Sequence, residues 1–438
     1  MEFKLSPGGC LQGEARVSGD KSISHRCIML GALAEGTTHV SGFLEGEDAL
    51  ATVAAFRAMG VKIEGPVAGE ISIHGVGMHG LHAPEAVLDL GNSGTSIRLL
   101  SGLLAGQSFA TRLSGDASLC GRPMGRVIQP LSRMGAQIGS AGEGRPPLEI
   151  AGGAALKGIH YDLPMASAQV KSCVLLAGLY ATGRTSVTEP APTRDHTERM
   201  LRGFGYVVER DEEGVISLEG GGSLRATAID VPADISSAAF LLVAASIAPG
   251  SELLLTHVGI NPTRVGVINI LRLMGADIEL LDEREVGGEP VADIQVRASR
   301  LHGIDIPLDQ VPLAIDEFPV LFVAAACAQG TTVLRGAQEL RVKESDRIAA
   351  MAEGLQTLGV ESEVLDDGIV IRGFGDSGSF SGGVINSHHD HRIAMAFAVS
   401  ALRANGEIQI LEADNVATSF PGFDALMRGL GLQISATE

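Results

Sequence analysis

There is no tryptophan in this chain, and there are only three tyrosines. Proteins that hold single-stranded nucleic acid stack its bases on aromatic rings, so most of that machinery is missing. Cations are a minority as well: 33 lysines and arginines stand against 52 aspartates and glutamates, a net charge of −19. A nucleic-acid binder needs a basic face, and this balance argues against one. A small anionic ligand stays open, provided the few cations gather in one place. The five cysteines (Cys10, Cys27, Cys120, Cys173 and Cys327) are scattered and lack the paired spacing of a metal site. They read as reduced thiols of a cytoplasmic protein. No apolar run reaches the length of a membrane span, although LLVAASIA and LFVAAACA read as buried helices. The first residues, MEFKLSPGGC, carry neither an apolar signal core nor an Arg-rich amphipathic stretch. There is no Walker A string. GVGMHG at 75–80 matches G-x-G-x-x-G, but LHAPEA follows it in place of an apolar helix, so the dinucleotide reading lacks its context.

What is present is repetition. A chain of 438 residues that is 45% apolar is globular and too long for one ordinary core, so two or more domains are expected. A helix-glycine-strand signature recurs with glycines at Gly36, Gly183, Gly250, Gly330 and Gly406, and more weakly at Gly106. A second signature, an apolar residue, glycine and a short strand, alternates with it at Gly60, Gly135, Gly205, Gly275, Gly359 and Gly431. Both predict helices that end at glycine and feed strands. The chain therefore reads as six copies of one α/β unit.

Each copy has two kinds of helix. In LEGEDALATVAAFRAMGVKIEG, acids open the helix, an apolar stripe runs through Leu50, Val53, Ala54, Phe56 and Met59, and Gly60 closes it. The other kind is apolar on every face, as in AAFLLVAASIA and FPVLFVAAACA, and reads as interior. Three units packing their interior helices would make one domain, and six would make two. IDVPADISS around Pro232 is the best crossover, with the N-terminal stretch to about Gly19 as the other. The expected domains are 1–19 plus 233–438, carrying candidate catalytic carboxylates, and 20–232, carrying most anion contacts.

The residues that open the helices carry the chemistry. Lys21, Ser22 and Arg26 lie in GDKSISHR, and Asn92 to Arg98 form GNSGTSIR. Arg122 follows in GRPMGR, Ser167 to Lys171 in MASAQVK, and Arg194 in TRDHT. The second half has Asp234, Arg264, Asp316, Glu317, Lys343 to Arg347, and Asp390 to Arg392. A helix start already carries partial positive charge, so a cation there costs up to about 1 kcal/mol at an exposed site. An anionic ligand would offset that cost. Gly94 lets a phosphate come close to a helix start, while Ser22, Ser93, Thr95 and Ser167 can both cap helices and bind phosphate. The first half supplies mainly cations and the second interleaves them with carboxylates. Such halves could clamp one anionic ligand and exclude water.

Bland readings compete at several positions. Asp316 and Glu317 are ordinary helix-start acids by position, and Glu317 and Arg264 read as structural. Arg98 reads either as a ligand contact or as an anchor of its loop. HHDH at 388–391 looks like a metal cluster, but adjacent residues do not easily share one ion.

Taken together and in order, GDKSISHR, GNSGTSIR, GDASLCGRPMGR, PMASAQVKS, TRDHTERM, RVKESDRI, DHRIAM and TSFPGF resemble the 5-enolpyruvylshikimate-3-phosphate synthase family over essentially the whole chain. SGDKSISHR and MASAQVKS resemble its class II bacterial branch. The resemblance implies an enolpyruvyl transferase fold: two similar domains, each of three βαβαββ-type units, with helix starts facing an interdomain cleft. It implies transfer of the enolpyruvyl group of phosphoenolpyruvate to the 5-hydroxyl of shikimate 3-phosphate by addition and elimination, on the route to chorismate and the aromatic amino acids. No metal or organic cofactor is implied, and a cytoplasmic monomer without nucleic-acid or membrane partners is expected.

Carried over motif by motif, Lys21, Ser22, Arg26, Ser167, Ala168, Gln169, Arg194, Asp316 and Lys343 would line the shikimate 3-phosphate site. Lys21, Gly94, Arg122, Gln169, Arg347 and Arg392 would hold phosphoenolpyruvate. Asp316 would be the base, and Glu344 or Lys21 would protonate the methylene. Thr418 stands where many members have lysine, which puts one phosphoenolpyruvate contact in doubt. Glyphosate is expected to compete with phosphoenolpyruvate. The related UDP-N-acetylglucosamine enolpyruvyl transferase uses a loop cysteine, but Cys120 sits too close to Arg122-Pro123 to match it. A repeat scaffold that binds a protein partner would explain six units but not cations at helix starts.

Overall fold

The computed structural model describes residues 1–437. The chain divides into two compact units. One comprises Met1–Ser18, Pro232–Glu285 and the chain from Glu289 onward; the other comprises Gly19–Val231 with Val286–Gly288. Each has its own apolar core. Among the described residues, no helix is long and apolar enough to cross a membrane.

The unit built from Gly19–Val231 holds three sheets of one plan. In the third, His160–Asp162 runs parallel to Arg184–Thr188, which pairs antiparallel with Ile216–Glu219, and Glu209–Arg210 closes the edge. The helix Ala168–Gly178 connects the parallel pair and His196–Gly203 connects the next two strands, giving βαβαββ. Leu88–Asp89, Thr111–Ser114, Arg145–Ile150 and Ile138–Ala141 repeat the plan. So does the sheet of Ala34–Ser41, Glu70–Val76 and Lys62–Val67, but its parallel strand, Ala228–Asp230, comes from the far end of the unit.

The other unit closes in the same way. Glu2–Leu5 lies between Ile408–Leu411 and Ile434–Thr437, completing a sheet whose other strands come from the last part of the chain. Gln12–Ala15 runs parallel to Glu252–Gly259. In the remaining sheet, isolated bridges from His302 and Asp305 to Gln329–Leu334 stand in for the parallel strand.

Composition accounts for which helices lie inside. All thirteen residues of Ile235–Ile247 are buried, as are all ten of Phe318–Cys327. A helix without a polar face has no side to give to water. Lys21–Leu33, Gly94–Ala105 and Ala168–Gly178 fill the same place in the unit of Gly19–Val231. The outer helix Glu47–Ala58 has Glu47 and Asp48 in its first turn and Arg57 in its last, the arrangement its dipole favours.

The two glycine series behave differently. Every member of the second series has positive φ just past a helix, as a C-terminal turn requires. The first series is mixed: Gly106 does cap the helix Gly94–Ala105, but other members lie beyond the helix end. Lys21–Leu33 stops at Ala34 and Phe318–Cys327 at Ala328, both caps being extended, so Gly36 and Gly330 fall inside the strands that follow. Their φ values of +105° and +96° bend the strand entry instead. Gly106 is right-handed, at φ −89°.

Candidate active site

In the unit of Gly19–Val231, three interior helices begin with the residues singled out by sequence. Lys21 opens its helix beside Asp20, whose carboxylate caps the Ile23 amide at 2.9 Å. Its ammonium lies 2.5 Å from Asp48 Oδ2 on the outer helix. The cation at this helix start is thus paired with a carboxylate of the outer helix, a pairing the sequence did not reveal. Ser22 sits within the first turn, where its carbonyl accepts from Arg26 Nη1 at 2.8 Å. Arg26 is buried, and donates to Thr197 Oγ1 at 2.7 Å and to Ser172 Oγ at 2.9 Å.

Ser93 caps the second helix through the Ser96 amide, and Gly94 is its first residue. A Cβ on Gly94 would lie 2.9 Å from Arg98 Nη1 and 3.0 Å from Arg122 Nη1. Two guanidinium groups therefore stand over this helix start, in space that the missing side chain leaves open. Arg122 is braced by Asn92 Oδ1 at 2.5 Å and Ser118 Oγ at 3.2 Å. Arg98 donates to Gln169 Oε1 at 2.6 Å, and the Gln169 amide donates to Thr95 Oγ1 at 3.1 Å. Arg98 thus orients Gln169, and its Nη1 also reaches the Gly94 carbonyl of its own helix start at 3.3 Å.

Ser167 caps the third helix, whose first residues are Ala168 and Gln169. Lys171 departs from the set: it is fully buried and points inward to Glu189 and Glu198. The helix start is not where its charge acts. Arg194 lies on the irregular segment before His196–Gly203 and is half-buried.

At the centre of these helices, His25 Nδ1 lies 2.9 Å from Thr52 Oγ1 and 3.3 Å from Ser96 Oγ. Burial, and then the charges of Lys21 and Arg26, hold its imidazole well below its ordinary pKa. It is a neutral histidine among cations.

The other unit carries the carboxylates. Asp316 lies just before Phe318–Cys327, and Lys343 to Asp346 lead into Arg347–Thr357. Arg347 gathers three acids: its Nε donates to Asp390 Oδ2 at 2.8 Å, its Nη2 to Glu344 Oε2 at 2.5 Å, and its Nη1 to Asp316 Oδ1 at 3.3 Å. Burial alone would lower the arginine's pKa, but the charges of Asp390, Glu344 and Asp316 outweigh it and push the value up. Burial likewise raises Asp390, and the Arg347 guanidinium reverses that and holds its carboxyl below the ordinary range. Lys343 Nζ lies 3.5 Å from Asp316 Oδ1, and Arg392 Nη1 donates to the Asp316 carbonyl at 2.8 Å. Sequence reading placed Arg347 among anion contacts; the structure adds that it ties both candidate proton-transfer acids to Asp390.

Glu317 accepts from the Ser236 hydroxyl and lies 3.6 Å from Arg392 Nη1, and Arg264 pairs with Asp234 at 2.9 Å. The HHDH string forms a turn. His388 and His389 have positive φ, their rings face different carboxylates (Glu353 and Glu412), and Asp390 caps the next helix. The Thr418 hydroxyl donates to the Asn415 carbonyl at 2.6 Å.

The model of the EPSP synthase family, described as 3-phosphoshikimate 1-carboxyvinyltransferase, matches residues 5–427. The 3-phosphoshikimate 1-carboxyvinyltransferase of Methylococcus capsulatus is 66% identical over 435 residues, covering 99% of this chain and 98% of that protein. That of Nitrosococcus oceani is 64% identical over 434 residues, covering 99% and 97%. The solved EPSP synthase of Acinetobacter baumannii superposes with a TM-score of 0.90 at 60% identity, each chain fully covered. The enolpyruvyl transferase NikO from Streptomyces tendae shares the fold at a TM-score of 0.81 and 18% identity, over 100% of this chain and 98% of that one. With its fold, its helix starts and these relatives in agreement, the chain belongs to the EPSP synthase family.

Proposed function

We propose that this enzyme divides its reaction between two sets of groups of unlike charge. The chain is a transferase that moves the enolpyruvyl group of phosphoenolpyruvate to shikimate 3-phosphate in aromatic amino acid biosynthesis. Lys21, Ser22, Arg26, Ser167, Ala168, Gln169, Arg194, Asp316 and Lys343 bind shikimate 3-phosphate. Planar guanidinium forks and helix-start amides suit phosphate and carboxylate oxygens. Arg122, with Arg347 and Arg392, binds phosphoenolpyruvate; Gly94 leaves it room, and Lys21 and Gln169 contact both substrates.

Asp316 takes the proton of the 5-hydroxyl as that oxygen attacks C2 of phosphoenolpyruvate. The methylene carbon gains a proton from Glu344 or Lys21. In the second half-reaction that carbon gives a proton back, the C2–phosphate bond breaks, and the enol ether and phosphate leave. General acid–base groups in such roles are worth about 10²- to 10⁴-fold each. The observation that carries this reading is Arg347, which holds Asp316 at 3.3 Å and Glu344 at 2.5 Å on one guanidinium. Two carboxylates fixed by a common cation keep the geometry that a pair of proton transfers needs.

Single-turnover rates against pH in Glu344→Gln and Lys21→Arg distinguish the two donors. Loss of the protonation step in the Gln variant alone assigns it to Glu344, and loss in the Arg variant alone assigns it to Lys21. Unchanged rates in both contradict the proposal. The working form is a cytoplasmic monomer without a nucleic-acid partner, a reading supported by the net charge of −19. Sedimentation of the purified enzyme tests the monomer.

A further inference from the structure

Lys171 has no part in the reaction as described, yet it is among the largest fully buried side chains in the molecule. It lies one turn into the helix Ala168–Gly178, and its ammonium reaches Glu198 Oε1 at 2.8 Å, Glu189 Oε1 at 3.0 Å and the Thr193 carbonyl at 3.3 Å. Both glutamates are almost wholly buried, and among the described residues neither has another ion-pair partner. One cation facing two buried carboxylates is costly to build, and removing the cation would leave both exposed to desolvation without compensation.

All three contacts fall on one stretch of chain. Residues 189–195 have no regular structure and link the strand Arg184–Thr188 to the helix His196–Gly203. Glu189 stands at its start, Thr193 near its end, and Glu198 in the first turn beyond it. The Thr193 hydroxyl also donates to Glu189 Oε1, which closes the segment on itself. Ser172, the neighbour of Lys171, bonds Thr197 Oγ1 at 2.7 Å and so ties the same helix to the same segment a second time. Arg194 sits between these attachments. The helix that holds them begins at Ser167, Ala168 and Gln169.

We propose that Lys171 is a positioning residue for shikimate 3-phosphate: it clamps the 189–198 segment so that Arg194 is held at a fixed place relative to Ser167. This rests on the reading of Arg194 and Ser167 as contacts to that substrate. Residues 189–195 include two prolines and form no regular strand or helix, so side-chain attachments set the course of this segment. The buried ammonium supplies three of them.

The test is a double-mutant cycle on the full chain, with shikimate 3-phosphate binding measured by calorimetry and the KM for phosphoenolpyruvate by phosphate release. Lys171→Met is expected to weaken shikimate 3-phosphate at least tenfold and to change the KM for phosphoenolpyruvate less than threefold. Should Lys171→Met not fold, Lys171→Met/Glu198→Gln removes one of the stranded carboxylates and is measured in its place. In an Arg194→Ala background the same change at Lys171 is expected to have less than a threefold effect, because its beneficiary is gone. An equal loss with and without Arg194, or an equal loss for both substrates, overturns the clamp and leaves the role of Arg194 standing. An Arg194→Ala enzyme that binds shikimate 3-phosphate normally overturns the reading of Arg194 itself, and the clamp with it.

Discussion

Arg347 Nε donates to Asp390 Oδ2 at 2.8 Å, between a guanidinium that is 1% exposed and a carboxylate that is 0% exposed. This pair joins the start of one helix to the cap of another, and the arginine's remaining donors reach Glu344 and Asp316. Asp390→Asn is expected to destabilise the protein by about 1.5–3 kcal/mol, the usual cost of losing a buried charged hydrogen bond while Glu344 and Asp316 still compensate the arginine. Urea unfolding at neutral pH measures it. The pH dependence follows from the lowered pKa of Asp390. The carboxylate contributes stability above its ordinary pKa, near 4, and loses it as pH falls through the lower folded value. Acid unfolding in the Asn variant should accordingly lose part of its steepness below about pH 4. A variant as stable as the parent would contradict the pairing.

A methyl group at position 94 would meet two guanidinium groups at 2.9 and 3.0 Å. The ends of arginine side chains can move, so Gly94→Ala is expected to fold. It should raise the KM for phosphoenolpyruvate roughly tenfold or more, about 1.4 kcal/mol, while shikimate 3-phosphate binding stays within threefold. Glyphosate should inhibit the parent in competition with phosphoenolpyruvate and inhibit the alanine variant less. Inhibition independent of phosphoenolpyruvate concentration would contradict the assignment of this helix start.

His25 sets a different pH window. An unfolded histidine takes up its proton near pH 6.5, whereas burial and the charges of Lys21 and Arg26 keep His25 neutral well below that. Below pH 6.5 the unfolded chain therefore binds more protons at this residue, and stability falls as pH drops, by up to about 1.4 kcal/mol per pH unit. Above it both states are neutral and the residue adds no slope. His25→Gln should flatten the stability profile between about pH 6.5 and 5. An unchanged slope in that variant would show that another group carries it.

What the sequence made legible was what is local. The second glycine series predicts positive φ after a helix because the turn is closed by adjacent residues, and all six glycines adopt it. Helices such as Ile235–Ile247 announce burial by having no polar face. The first glycine series looked similar and was misleading: at Gly36 and Gly330 the helix had already ended in an extended residue. Pairing across the fold was not legible. Nothing near Lys21 names Asp48 as its partner, and nothing near Lys171 shows that it turns inward to Glu189 and Glu198. Nor does the string RVKESDRI show three carboxylates on Arg347, since two of them come from other helix starts. Such contacts depend on the register in which repeats stack, and that is set by the whole core.

The central claim is that Asp316, held beside Arg347 and Lys343, removes the proton of the attacking hydroxyl. The most direct measurement is the turnover of Asp316→Ala, followed as phosphate released from shikimate 3-phosphate and phosphoenolpyruvate, with shikimate 3-phosphate binding measured on the same preparation. The expected result is a loss of about 10²- to 10⁴-fold in kcat with binding retained within tenfold. Turnover close to that of the parent would contradict the claim and remove Asp316 as the base.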